Sequence, residues 1–288
     1  MTGVSNGESC RQARQHASRQ HERRPAALTI SGADSSGSAG LAADLSAFAA
    51  CGVHGAFALT LVSAQNTVEF RTASPVDADL VSAQIHAVLD DLPIGAAKTG
   101  LMLSAETVAA VASIAERRLA QLVVDPVLVD GAGRPMLAAS AERAIVTRLL
   151  PCARVVTPNH LEAGRLLGRE LPEQADAWIE AAHEIAAAGP EAVIVTGGRL
   201  RTGETMTDVA VVNGSVRLMS AARIRTRNVR GSGDVLSAAI CAELAKGTAL
   251  EAAIDRAHHL TARAVAAGAK RRLGAGPGPV GIAGMVSP

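Results

Sequence analysis

The segment at residues 230–239, RGSGDVLSAA, holds the side chains and backbone best suited to chemistry on a phosphate. Its two glycines let the chain turn tightly and approach a ligand. The apolar run at 235–244 favours a helix, so the amides of residues 231–234 are predicted to lie free at its N-terminus. Phosphate is favoured there by the N–H groups and the helix dipole. Gly231, Ser232 and Gly233 are therefore candidates for stabilising phosphoryl charge.

Asp234 is the unexpected member of this segment. A carboxylate in an anion site repels a bound phosphate, so its presence needs a chemical reason. One reason is that it accepts the proton of an alcohol that attacks the phosphate. The alternative is a helix N-cap that follows a glycine turn.

The rest of the chain alternates between buried-strand and helix patterns, which predicts the frame around this segment. Strands are predicted at 27–31, 56–62, 95–99, 122–125, 154–157 and 192–196, with a loop at 32–37. Helices are predicted at 40–50, 77–89, 106–119, 140–150, from 159, and at 176–188, 233–246 and 251–267. A hairpin joins 208–212 to 216–219 through Asn213-Gly214. This order predicts an α/β fold with a mostly parallel sheet covered on both faces.

Polar and glycine-rich segments follow several of the predicted strands. They are residues 32–37, Lys98-Thr99-Gly100, Asp125-Pro126, 157–159 and 196–198. Parallel sheets bind ligands at the carboxyl ends of their strands, so we expect these segments to line one crevice. Lys98 and Asp125 could form a partly buried ion pair there or take part in the chemistry.

Composition narrows the function classes. The net charge of +1 and an aromatic content of 1% over 288 residues argue against nucleic-acid and membrane partners. Four scattered cysteines without CxxC pairing indicate reduced thiols in a cytoplasmic protein.

Residues 1–25 are polar and rich in Arg, Ser, Gln and His, which predicts a disordered extension. The arginines and serines also allow a transit peptide, although Glu8 and Glu22 argue against one. Residues 26–288 are predicted to form one domain.

Several nucleotide-binding motifs are absent from the sequence. There is no Walker-A GxxxxGK[ST], no GxGxxG after a strand, no protein-kinase signature and no GxSxG. Phosphate handling without a Walker loop, in an α/β fold with Gly-Ser-Gly-Asp late in the chain, sharply narrows the protein classes that fit.

These residues resemble the ribokinase-like kinases and, within them, the hydroxymethylpyrimidine/phosphomethylpyrimidine kinases of thiamine biosynthesis. The similar segments run in order from ALTISGADSSGSAGLAADLSAF (27–48) through SAQNT (63–67), AAKTGLM (96–102), VVDPVLV (123–129), LLPCARVVTPNHLEA (149–163) and GG (197–198) to residues 228–240 and GPV (278–280). The resemblance implies a three-layer α/β/α sandwich, a homodimer, and the use of ATP and Mg²⁺. It implies two phosphorylations, of 4-amino-5-hydroxymethyl-2-methylpyrimidine and of its monophosphate.

The resemblance also implies roles for single residues. Asp234 would be the general base, and the amides of Gly231, Ser232 and Gly233 would hold the transferring phosphoryl group. The implied substrate-binding residues are Gly32, Asp34, Ala42, Asn66 and Leu101, the implied ATP-binding residues are Asn159, Thr196 and Gly198, and the implied metal-binding residues are Asp125 and Glu162. From the residues alone, Asn159 is also a helix cap, and the loop around Asp34 is also an ordinary Asx turn.

The chain departs from the family pattern at several of these positions. Asp234 stands where many of these kinases have Cys, Ala42 where they have Gln, and Leu101 where they have Met. Thr196, Arg199 and Pro277 replace a Lys and two His. A carboxylate is ionised at neutral pH and ready to accept a proton, so the phosphoryl-transfer machinery is retained while the substrate pocket differs.

Three alternatives stay open on the sequence. A pyridoxal-type kinase would use the same base and anion site. A sugar or nucleoside kinase of the same fold is opposed by the segments SAQNT and DPVLV. A catalytically degenerate ligand-binding protein is favoured by the changes at Ala42 and Thr196 and opposed by the retained Gly231, Gly233 and Asp234.

Overall fold

The computed structural model describes residues 24–198 and 203–282, in which strands and helices alternate along most of the chain. The strands are β1 (Ala26–Asp34), β2 (His54–Gln65), β3 (Phe70–Pro75), β4 (Ile94–Thr99), β5 (Leu122–Val124), β6 (Val155–Val156), β7 (Ala192–Val195), β8 (Thr205–Val212) and β9 (Ser215–Ala222). The helices are α1 (Leu41–Ala50), α2 (Ala78–Asp91), α3 (Ala105–Arg118), α4 (Ala139–Ala144), α5 (His160–Leu166), α6 (Ala175–Ala186), α7 (Ser232–Ala245) and α8 (Leu250–Gly268).

The strands form one nine-stranded sheet in the order β3-β2-β1-β4-β5-β6-β7-β8-β9. In this spatial order, the six strands β2, β1, β4, β5, β6 and β7 are parallel to one another. The outer strands β3, β8 and β9 are antiparallel to their neighbours. The carboxyl ends of the six parallel strands therefore share one edge, as the sequence predicted.

Side chains that alternate along the strands build a core on each face of the sheet. Leu28, Val124 and Val195 pack on one face with buried residues of α2, α3 and α6. Ala27 and Val123 pack on the other face with buried residues of α1, α7 and α8. Helices thus cover both faces, which confirms the three-layer α/β/α fold.

Three local predictions differ from the structure. The helix predicted at 140–150 leaves α geometry after Ala144 and continues as a π-helical turn (Ile145–Leu149) and a 3-10 turn (Leu150–Cys152). Pro151 accounts for the end of this segment, because it has no N–H to donate to the carbonyl oxygen of Thr147 and its ring clashes with that group. Strand β3 was missed because nearly all its residues are exposed, so it has no apolar alternation. Strand β1 runs into the predicted loop as far as Asp34, with a register shift around Gly32.

The predicted N-terminal extension lies outside the described residues except for its last two positions, 24 and 25. Cys10 belongs to the part that is not described. The other three cysteines, Cys51, Cys152 and Cys241, are free thiols. Across the described ranges, no helix has both the length and the apolar content required to cross a bilayer.

Candidate active site

Helix α7 begins at the predicted glycine loop. Gly231 has a φ of 81°, and a Cβ atom on it would lie 2.4 Å from the carbonyl oxygen of Ser38, so only glycine fits there. A Cβ atom on Gly233 would have no neighbour within 4 Å. The space over Gly233 is therefore open to a ligand.

One prediction about this loop is corrected by the structure. The amide of Ser232 donates to the carbonyl oxygen of Val229 at 3.1 Å, because that bond closes the turn into the helix. In the part of the chain that the structure describes, the amides of Gly231, Gly233 and Asp234 have no hydrogen-bond acceptor. These three amides, and not that of Ser232, are available to a phosphate at the helix N-terminus.

Lys98 lies at the centre of a buried cluster of three carboxylates. Its Nζ is 2.7 Å from Asp44 Oδ1, 3.7 Å from Asp125 Oδ2 and 3.8 Å from Asp234 Oδ1. The register of β1 and β4 pairs Thr29 with Lys98, and Thr29 Oγ1 donates to Asp44 Oδ2 at 2.6 Å. The sheet thus supplies the cation, and α1, the end of β5 and the start of α7 each supply one carboxylate.

Burial and charge have opposite effects on the pKa of each group in this cluster. Burial raises the pKa of the Asp44 carboxyl to about 7, although the Lys98 charge opposes this. Burial also raises the pKa of Asp125, again against the Lys98 charge. Burial alone would lower the pKa of Lys98, but the carboxylates of Asp44, Asp125 and Asp234 raise it above its usual value. Lys98 therefore stays protonated, while Asp44 changes charge near neutral pH.

Asp234 is the member of the cluster most open to solvent. Its side chain is 15% exposed, against 9% for Asp125 and 0% for Asp44 and Lys98. A general base must be within reach of the proton it accepts. Of the three carboxylates, Asp234 meets this requirement best, and it lies directly beside the free amides of its own helix N-terminus.

The two predicted metal-binding carboxylates are held by protein donors. Asp125 Oδ2 accepts a hydrogen bond from Ser237 Oγ at 3.1 Å. Glu162 accepts from the amide of Asn159 at 3.0 Å and from that of Leu128 at 3.4 Å. Within the described ranges, no three His, Cys, Asp or Glu side chains are grouped to hold a metal. This donor set fits a Mg²⁺ ion that arrives on phosphates and keeps most of its waters, because Mg²⁺ needs only one or two carboxylates in such sites.

Asn159 caps helix α5 in a capping box with Glu162. Asn159 Oδ1 accepts from the amides of Leu161 and Glu162 at 3.0 and 3.2 Å, which confirms the helix-cap alternative. A nucleotide at this position would meet only the side-chain amino group. Thr196 lies beside Asn159 in a parallel β-bridge, so the loops after β6 and β7 are neighbours.

The loop after β7 is anchored from β8. The amide of Gly197, between the two predicted ATP-binding residues Thr196 and Gly198, donates to Asp208 Oδ1 at 2.8 Å. Asp208 Oδ2 is 3.5 Å from His258 Nε2, and both side chains are buried. Burial raises the pKa of Asp208, although the Gly197 amide opposes this. Arg199 and the three residues after it lie outside the described ranges.

The predicted substrate loop forms an Asx turn that also meets a cation. Asp34 Oδ1 accepts from the amide of Ser36 at 2.7 Å. Asp34 Oδ2 lies 3.3 Å from Arg230 Nη2, which also donates to Gln65 Oε1 at 2.7 Å. A Cβ atom on Gly32 would lie 2.7 Å from the Leu61 side chain, so a larger residue there would force Leu61 to move.

The other predicted substrate-binding residues are at this end of the sheet or on α1. Asn66 Oδ1 accepts from the amides two and three residues further on, at 2.8 and 3.0 Å, which shapes the β2–β3 turn. The carbonyl oxygen of Leu101 accepts from Thr60 Oγ1 at 2.7 Å. Ala42 is half-buried in the first turn of α1. Their contacts with a substrate stay predictions.

Sequence reasoning did not assign Asp44, Gln65 or Arg230 to the site. Asp44 precedes the buried Phe48 by four residues in α1, so a carboxylate on the apolar helix face was the available signal. Arg230 gave no such signal, because its partners Asp34 and Gln65 lie 196 and 165 residues away along the chain.

Comparisons with known proteins show which sequences and structures this chain is similar to. A sequence model of the family described as phosphomethylpyrimidine kinase matches residues 34–281. A hydroxymethylpyrimidine/phosphomethylpyrimidine kinase of Rhizobium meliloti (strain 1021) is 41% identical over 254 residues, which cover 88% of this chain and 95% of that protein. The crystal structure of Bacillus subtilis pyridoxal kinase in an ADP complex is 35% identical with a TM-score of 0.83, covering 90% of this chain and 97% of that one. A phosphomethylpyrimidine kinase structure from Clostridium difficile 630 is 30% identical with a TM-score of 0.74. The match covers 84% of this chain and 100% of that one.

Proposed function

Because the chain belongs to the phosphomethylpyrimidine kinase family, we propose that it phosphorylates 4-amino-5-hydroxymethyl-2-methylpyrimidine and its monophosphate with ATP. The observation that carries this proposal is the position of Asp234, which joins three free amides at a helix N-terminus to a lysine-centred carboxylate cluster. That arrangement combines a proton acceptor with an anion site, as transfer to an alcohol requires.

In the proposed step, the substrate hydroxyl oxygen attacks the γ-phosphorus of ATP and its proton passes to the Asp234 carboxylate. The bond from the γ-phosphorus to the bridging oxygen breaks, and ADP leaves with that electron pair. The amides of Gly231, Gly233 and Asp234 donate to the phosphoryl oxygens, where they stabilise charge in the transition state. For attack on the monophosphate substrate, the nucleophile is a phosphate oxygen and the same amides serve.

Lys98 has an electrostatic role in this proposal. Without it, Asp44, Asp125 and Asp234 would repel one another and the incoming phosphates in a buried site. The ammonium offsets part of that charge and fixes the three carboxylates around one point. It keeps Asp234 in place for proton transfer and does not itself need to contact the substrate.

Mg²⁺ bound to the ATP phosphates would supply further positive charge during transfer. Asp125 and Glu162 would hold this ion, since Mg²⁺ that binds with substrate phosphates needs only one or two carboxylates from the protein. Asn159, Thr196 and Gly198 are assigned to ATP, supported by the adjacency of the loops that carry them.

The substrate-binding residues in this proposal are Gly32, Asp34, Ala42, Asn66 and Leu101. A second candidate is a pyridoxal-type kinase, which the similarity to the Bacillus subtilis pyridoxal kinase structure favours. Both candidates would use the same base and the same amides, so the substrate pocket alone distinguishes them.

The test is ADP release from Mg-ATP with four acceptors: the pyrimidine alcohol, its monophosphate, pyridoxal and ribose. We expect turnover on both pyrimidines. Turnover on pyridoxal alone would show that the protein is the second candidate, a pyridoxal-type kinase, and that the proposed pyrimidine substrate is wrong. Absence of turnover on all four would favour a catalytically degenerate ligand-binding protein.

We further propose a cytoplasmic homodimer without nucleic-acid or membrane partners. Val68 and Phe70, just before and at the start of the edge strand β3, are 68% and 49% exposed, which supports burial of this sheet edge in an assembly. Sedimentation analysis should show a dimer, and a monomer at all concentrations would contradict this.

A further inference from the structure

Arg230 occupies a fixed position between the glycine loop at residues 231–233 and the predicted substrate loop around Asp34. Its backbone is held on both sides, since its amide donates to Gly278 at 3.2 Å and its carbonyl oxygen accepts from Val280 at 3.0 Å. Its side chain is 29% exposed and bridges two strand ends. Nη2 reaches Asp34 Oδ2 on β1 and Gln65 Oε1 on β2 at 3.3 and 2.7 Å.

The bridge fixes which end of the Gln65 amide faces Arg230 and which end is left without a protein partner among the described residues. A guanidinium has donors only, so the Gln65 group against it must be the oxygen and not the amino group. Gln65 is also held through its backbone, because its amide and carbonyl both bond to Ser35 Oγ, at 2.9 and 2.7 Å. Among the described residues, the Gln65 amino group has no hydrogen-bond partner. The half-buried amide therefore has its oxygen engaged by Arg230 and its amino donors unpaired among the described residues, at the carboxyl edge of the sheet.

Asp34 explains why the arginine keeps this position. Its side chain is 2% exposed, and one of its oxygens is already used by the Ser36 amide. A carboxylate buried to this extent requires a paired cation, and Arg230 provides it. The Asp34–Arg230 ion pair thus holds the guanidinium where it orients Gln65.

We propose that Arg230 is a specificity-determining positioning residue, which turns the Gln65 amino group toward the bound substrate and makes the pocket require a hydrogen-bond acceptor on the substrate ring. The inference rests on the proposed function, whose pyrimidine substrate has two acceptor ring nitrogens. A donor held in advance discriminates well, because a ligand without the acceptor leaves it unpaired.

The test measures KM and kcat of the full-length protein for the pyrimidine alcohol and for two pyridine analogues, each lacking one ring nitrogen. In the wild type, we expect one analogue to have a KM roughly three- to tenfold above that of the pyrimidine. In Arg230→Met, the pyrimidine KM should rise and this preference should fall below about twofold, while kcat and the ATP KM change little. Arg225→Met is the matched control, since Arg225 is exposed and paired with Glu204; it should keep the wild-type preference.

Gln65→Glu provides the second variant, which keeps the proposal testable if Arg230→Met does not fold. The introduced carboxylate would still accept from Arg230 but would offer no donors, so the ring-nitrogen preference should disappear in a folded protein. An unchanged preference in the folded variants would overturn the inference while leaving the kinase activity established. A loss confined to the monophosphate substrate would instead assign Arg230 to phosphate binding and overturn the orienting role. A wild type that phosphorylates no pyrimidine would overturn the inference and the proposed function together.

Discussion

At the scale of single residues, the site depends on one lysine that is wholly buried among carboxylates. Removing one partner from a buried ion pair typically costs about 3–5 kcal/mol, because the other charge is left uncompensated. Lys98 has three such partners at 2.7–3.8 Å, so loss of any one leaves two. The cluster should therefore tolerate a single neutral substitution better than an isolated pair would.

Asp44→Asn tests the charge state of this cluster. The pKa of Asp44 is about 7 in the folded protein against an ordinary value of 3.8, so the folded state binds the proton more tightly than the unfolded state. The stabilisation of the folded state by the proton on Asp44 is complete below about pH 4 and is lost as the pH rises through 7. We therefore expect the free energy of unfolding, measured in urea, to differ between the two proteins in a pH-dependent way. The value for the wild type minus the value for Asp44→Asn should fall by about 1–3 kcal/mol between pH 5 and pH 8.

A constant difference over this range would show that Asp44 does not change charge there. Asp91→Asn is the matched control, because Asp91 is exposed at the end of α2, and its difference should not depend on pH in this way.

At the scale of elements, the strand ends were predictable and their side-chain contacts were not. The short apolar runs of β4 and β5, each ending in polar residues, placed Lys98 and Asp125 at the sheet edge, and the glycine pattern placed Asp234 at the start of α7. The bridge from Arg230 to β1 and β2 depends on strand order, which follows from long-range pairing and not from any local pattern. The predicted helix ended just before Pro151, and no local pattern within residues 140–150 marked the change of geometry after Ala144.

Strand β8 also acts at this scale, since its Asp208 holds the loop after β7. Asp208→Leu should leave the buried Gly197 amide without an acceptor and displace the loop, raising the ATP KM roughly fivefold or more with kcat nearly unchanged. Asp208→Asn keeps an acceptor oxygen and should behave like the wild type. Equal KM values for the two variants, measured by steady-state kinetics, would argue against this anchoring role.

At the scale of the whole molecule, composition and periodicity were enough to predict the layered architecture. Two separate apolar sets, one on each face of the sheet, are what near-continuous apolar strands between helices require. The antiparallel edge strand β3 could not be predicted, because exposed residues carry no burial pattern. The polar composition of residues 1–25 predicts that these residues contribute nothing to the core.

Truncation tests that prediction. A chain that starts at Ala26 should keep the melting temperature and the kcat of the full-length protein, because β1 begins there. A chain that starts at Ser31 is the control, since it lacks the buried β1 residues Leu28 and Ile30 and should not fold. A clear loss of stability or activity in the Ala26 chain would show that the extension is structural.

The most direct measurement is the turnover of Asp234→Asn on the pyrimidine alcohol, with ATP binding measured in parallel. Asparagine keeps the shape of the side chain but accepts no proton, so kcat should fall by about 10²–10⁴. The affinity for ATP should change little, because the three free amides are retained, and Asp91→Asn should keep full activity. An Asp234→Asn turnover within threefold of the wild type would contradict the assignment of this carboxylate as the base.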